Sequence, residues 1–102
     1  MSNSTHPGFS FQPLFKQVED LKRGDLALIA PGGRGPLPPH QHNSAHLFVV
    51  LTGTIDVWIE QAKHSVNQHE TIYVPANRQH TMHNPTQHTA RVLGIELAGG
   101  GQ

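Results

Sequence analysis

The 102-residue sequence has no cysteine, which removes both a disulfide framework and any thiolate metal site, zinc fingers included. Charge is scarce as well. Asp, Glu, Lys and Arg make up 14% of residues, against roughly 25% in ordinary soluble domains. Lys+Arg and Asp+Glu each number 7, so the chain is formally neutral and carries no basic stripe to neutralise phosphates. Nucleic acid is therefore not an expected partner. A near-neutral surface repels its own copies weakly, which permits self-association. The longest apolar run, Leu47 to Leu51, is far short of a membrane span, so no membrane partner is expected. Met1 to Gly8 lacks a basic stretch followed by an apolar one, and the expectation is a cytoplasmic chain without a signal peptide. No serine–histidine–carboxylate set or paired-carboxylate site stands out. Gly32, Gly33 and Gly35 sit among prolines and do not read as a nucleotide loop.

Histidine is what the chain has in excess, with nine residues. Three fall in Pro38-Pro39-His40-Gln41-His42-Asn43-Ser44-Ala45-His46, and His80 follows in Val74-Pro75-Ala76-Asn77-Arg78-Gln79-His80. Imidazole is the commonest protein ligand for divalent transition ions, so the cluster points to a metal site. If Pro39 to Asn43 is extended, His40 and His42 point to one face. The small, turn-prone Asn43-Ser44-Ala45 can bring His46 round to a third position. His80 then has to arrive from a distant strand. A histidine-rich chain also yields close pairs by chance. The context raises this cluster above that background: Pro38-Pro39 before it, the apolar Leu47–Leu51 after it, and Gly53 at its close.

Strands dominate the remaining pattern. Asp25 to Ala30 is a short apolar segment stopped by a loop from Pro31 to Pro36. Leu47 to Leu51 reads as a buried strand, and Thr52-Gly53-Thr54 as a tight turn. In Ile55 to Glu60, Ile55, Val57 and Ile59 face one way while Asp56, Trp58 and Glu60 face the other. Glu70 to Val74, Gln79 to Asn84 and Thr89 to Leu97 complete the set. Residues 1–13 are polar and read as an arm, a disordered tail being the other reading, and Phe9, Phe11 and Phe15 alternate as in an edge strand packed on a partner subunit. The one helical candidate spans Gln17 to Lys22. Short strands separated by turns imply an all-β sandwich or barrel in a single domain. The expected organisation is an arm and edge strand over 1–24, a barrel over 25–97 and a flexible tail over 98–102.

Together these residues resemble the cupin superfamily. His40-Gln41-His42, three residues, His46, six residues and Gly53 reproduce the spacing of its first motif, and Pro75, His80 and Asn84 match its second. The resemblance covers about residues 25–97 and implies a jelly-roll barrel, a monocupin that commonly dimerises. His69 replaces the second motif's leading glycine. Asn77 replaces its internal glycine, and Asn tolerates positive φ. His46 stands where the family usually has a metal-binding glutamate, so the match is to small four-histidine cupins. The resemblance implies one divalent transition metal per chain (manganese, iron, zinc, nickel or copper) held by His40, His42, His46 and His80.

Four neutral imidazoles would leave the ion's full charge in an apolar cavity, favouring an anionic oxygen ligand. Tyr73 and Arg78 are the candidate catalytic side chains, with Met82 a further possible contact or a core residue. His83 is expected on the strand face opposite His80, and His6, His64, His69 and His88 at the surface. Asn84 is expected to hold a turn, and Trp58 to mark a homodimer contact or to be a partly exposed aromatic. Two functions stay open: a metal-dependent oxygenase or oxidative-cleavage enzyme acting on a small oxygen-rich or unsaturated molecule, and a non-catalytic metal-containing sugar or organic-acid module. A vestigial site in a structural barrel is the third reading.

Overall fold

Period-two alternation along most segments produces strands, and among the described residues there are no helices. The computed structural model describes residues 5–97, with the backbone alone over 14–18; the proposed tail at 98–102 lies outside them. In chain order the strands are β1 (Phe9–Val18), β2 (Leu21–Ile29), β3 (Arg34–His40), β4 (His46–Thr52) and β5 (Thr54–Ile59). They continue as β6 (Ala62–Asn67), β7 (Thr71–Val74), β8 (His80–His83) and β9 (Ala90–Leu97). All pairing is antiparallel, in a five-stranded sheet ordered β1-β2-β9-β4-β7 and a four-stranded sheet ordered β3-β8-β5-β6.

Between the sheets lies an aliphatic core containing Ile29, Val50, Ile55, Val57, Val66 and Val92, all buried. Burying such side chains contributes about 1.5–3 kcal/mol each. Ile55 and Val57 face this core as expected, and Trp58 is half-buried on the other face of β5, with Lys63 Nζ 5.9 Å from its ring centre. The turn into β5 is made at Gly53, whose φ of +91° suits glycine.

Two expectations need correction. The segment Gln17 to Lys22 is not helical but ends β1 and begins β2, and the chain reverses at Glu19, which adopts φ +53°. The loop reading of Pro31 to Pro36 holds only to Gly33, because β3 starts at Arg34. Prolines in β3 are tolerated because it is an edge strand with an irregular register against β8 between Gly35 and His40. β6 was not legible as a strand, since it is an edge with only Val66 buried. Phe9 and Phe11 do lie on an edge strand, opposite Ile29 and Ala27. The side chain of Phe15 lies outside the described residues.

Candidate metal centre

Two chain segments, the β3–β4 connection with its flanking strand ends and the start of β8, deliver the four histidines to one end of the barrel. His40 ends β3 and pairs with His80, the first residue of β8. His46 opens β4, and His42 sits in the intervening loop, exposed. That loop is anchored by two backbone bonds: the Asn77 amide donates to the His42 carbonyl (2.6 Å), and the Leu97 amide to the Ala45 carbonyl (2.9 Å). Asn77 has φ +64°, so the left-handed turn expected of it is present. The strand ends at His40, so His42 reaches the cavity from a loop instead of from an extended continuation.

All four rings line a single cavity of about 190 Å³. Ring centroids are 5.3 Å apart for His42–His46, 5.4 Å for His42–His80, 5.8 Å for His46–His80 and 6.1 Å for His40–His42. Imidazoles bound to one ion at about 2.1 Å have centroids about 4.5–5.3 Å apart, depending on the bond angle. The rings thus surround a common space but stand slightly wide of a closed shell. Among the described residues no three side chains are already in a metal-holding arrangement.

The donor chemistry fits a divalent transition ion. Burial pushes the His46 imidazole down to about 4, against an opposing pull from Glu96. Burial also lowers His80, despite the Arg78 carbonyl 3.4 Å from its Nδ1. Both rings are therefore neutral at pH 7, the form that binds metals. His46 Nδ1 is buried without any hydrogen-bond partner, an arrangement that costs free energy unless something else engages it. The ring stacks on Phe48 at 5.6 Å with its plane 3° away from parallel, which holds its orientation.

The cavity is not lined only by apolar groups, contrary to expectation. Arg23, Asp25 and Glu96 face it from β2 and β9. Arg23 donates two 3.0 Å hydrogen bonds to Asp25, and Glu96 lies 3.5 Å from Lys22 Nζ. Glu96 is directly opposite His46 on the β4–β9 ladder. The signal was present in the sequence, because Val92, Gly94 and Glu96 share one period-two row. His6, expected at the surface, is half-buried and lines the same cavity.

Tyr73 and Arg78 do not reach it. Tyr73 is 54% exposed on β7 opposite Leu47, and Arg78 is exposed in the loop before β8. Met82 lines the cavity and is buried, whereas His83 pairs with Asp56 and lies away from the rings. His64, His69 and His88 are exposed. Asn84 is fully buried. Its Nδ2 donates to the Ile29 carbonyl (2.9 Å) and the His88 carbonyl (2.8 Å), and its Oδ1 accepts from the Thr86 amide (2.9 Å) and hydroxyl (2.8 Å).

Known proteins share this arrangement of strands. A cupin-2 domain protein from Rhodospirillum rubrum superposes with a TM-score of 0.83 at 18% identity, covering 100% of this chain and 68% of that one. A predicted oxalate decarboxylase from Thermotoga maritima superposes with a TM-score of 0.80 at 11% identity, covering 88% and 80% respectively. At such identities the likeness shows the fold alone. In sequence, a mannose-1-phosphate guanylyltransferase from Klebsiella pneumoniae is 26% identical over 68 residues, which are 67% of this chain but 14% of that protein. The family model described as Cupin domain matches residues 25–96, the stretch that holds His40, His42, His46 and His80. The chain belongs to the cupin family.

Proposed function

We propose that His40, His42, His46 and His80 hold one divalent transition ion and that the chain is a metal-dependent enzyme of the oxygenase or oxidative-cleavage type. Its substrate would be a small oxygen-rich or unsaturated molecule. The observation that carries this reading is the meeting of His40, His42 and His46 with His80 from a distant strand in one cavity, with His46 and His80 kept neutral by burial. A bound ion would supply Lewis-acid polarisation of a substrate oxygen. The chain's own residues supply the rest. Phe9, Phe48 and Val92 exclude water from one wall, and Glu96 is the carboxylate nearest in register to His46, placed to accept a proton or hydrogen bond from a ligand.

Metal analysis of protein purified without added metal should find close to one transition ion per chain, and His80→Ala should lose it. Oxygen uptake or product formation across phenols, alkenes and keto acids then tests turnover. The second reading, a sugar or organic-acid binding module without turnover, is favoured by the sequence match to a small part of a mannose-1-phosphate guanylyltransferase. Sugar binding with no turnover under any metal would select it. Pairing of two chains belongs to the same proposal, with Trp58 on the outer face of β5 as the contact; sedimentation of Trp58→Ala tests it.

A further inference from the structure

The family model begins at residue 25, yet part of the cavity wall comes from before it. Residues 5–8 are stitched onto the barrel by backbone hydrogen bonds. The Leu37 amide donates to the Thr5 carbonyl (3.0 Å), the Arg34 amide to the Pro7 carbonyl (3.0 Å) and the Ala30 amide to the Gly8 carbonyl (2.8 Å). Two glycines make this close approach possible. A Cβ on Gly35 would lie 2.7 Å from the Thr5 carbonyl oxygen and 2.8 Å from His6 Cα, and one on Gly8 would lie 2.7 Å from Gly33 Cα. The strap thereby holds the His6 ring edge-on to Phe9 (5.1 Å) and Phe11 (5.4 Å), while the Thr5 hydroxyl meets His6 Nδ1 at 3.0 Å. All three rings line the cavity that the four histidines line, and Phe11 remains 47% exposed.

We propose that His6, Phe9 and Phe11 are a ligand-selecting wall, and that the ligand is a single-ring unsaturated molecule carrying an oxygen donor toward the four histidines. The assignment rests on the metal-centre reading for the oxygen end and on the aromatic wall for the ring end. Size supports it, because a cavity near 150 Å³ holds one benzene-sized ring, and this one measures about 190 Å³. Edge and face contacts among three aromatic rings favour a further ring over an aliphatic chain. A polyol fits less well against this wall, because Phe9 and Phe11 offer it no hydrogen-bonding group and Arg23 and Asp25 opposite are engaged with each other.

The test is calorimetric titration of the full chain with catechol and with D-mannose, each with zinc, a redox-inert ion, and without it. In the parent, catechol should bind at least tenfold tighter than D-mannose. Phe11→Ala, at a half-exposed site that leaves the fold intact, should weaken catechol at least tenfold while zinc affinity stays within twofold. Gly35→Ala, which displaces the strap without altering any ring, should reproduce that loss. Catechol affinity unchanged in Phe11→Ala and Gly35→Ala, equal binding of D-mannose, or no catechol binding with or without zinc would each overturn the wall. Failure of the parent to hold zinc would overturn the metal centre instead, and the Phe11 dependence of catechol binding to zinc-free protein would still decide the wall.

Discussion

The two ends of the barrel are built from the same strands and differ in what fills their inward rows. Along β4, Val50 belongs to the core while Phe48 and His46 face the cavity; along β9, Ala90 and Val92 give way to Gly94 and Glu96. β2 runs from Ile29 through Ala27 to Asp25 and Arg23, and β8 from Met82 to His80. The alternation continues unbroken, but aliphatic side chains are replaced by imidazoles, carboxylates and a guanidinium. The closed end holds the fold through apolar burial, and the open end tolerates polar groups because the cavity or mutual pairing satisfies them, His46 Nδ1 being the exception. Stability and chemistry are therefore separable by position along a single strand.

The sharpest way to break this division is a truncation at the closed end. Ile55→Ala should cost about 3–4 kcal/mol in denaturant unfolding, and leave any metal stoichiometry unchanged. Acid attacks the open end instead. The folded His46 resists protonation down to about 4, whereas the unfolded ring takes up its proton near 6.5. The unfolded state thus binds more protons across that window, so stability of the metal-free protein falls as pH drops from about 6.5 towards 4. The loss reaches about 3 kcal/mol, with His80 acting in the same direction. In His46→Phe, thermal unfolding across the same pH range should lose most of that slope.

Asn84→Ala strands the carbonyls of Ile29 and His88 behind the core and should cost about 2–3 kcal/mol, read by chemical denaturation. The smallest effect is a gain. His69 is exposed and holds φ +72°, so His69→Gly should raise stability by up to about 1 kcal/mol in thermal unfolding.

The closed end was the more legible in sequence. Ile55, Val57 and the Leu47–Leu51 run declare their strands by alternation and composition, and Asn77 declared its turn by tolerating positive φ. β3 and β6 were not legible, because an edge strand needs no buried face; proline masks the first and polar residues the second. The hairpin at Glu19 is not legible in the sequence because a glutamate carries no turn signature there. At the open end the four histidines stood out by spacing together with their context, Pro38-Pro39 before the cluster and Leu47–Leu51 and Gly53 after it. Arg23 and Asp25 did not, since each reads as an ordinary surface charge until the sheet places it in an inward row beside Ala27, and for Glu96 the only signal is the period-two row it shares with Val92 and Gly94. His6 was hidden by distance, as only folding brings residue 6 against Gly35. Tyr73 and Arg78 are near His80 in sequence only, because alternation along β7 turns Tyr73 outward and Arg78 is exposed in its loop.

A crystal structure of metal-reconstituted protein, with anomalous scattering recorded at the absorption edge of the ion, tests the proposed centre most directly. The account predicts a single peak about 2.0–2.3 Å from one nitrogen each of His40, His42, His46 and His80. A peak elsewhere, or a peak that any one of those four imidazoles leaves unligated, would contradict it.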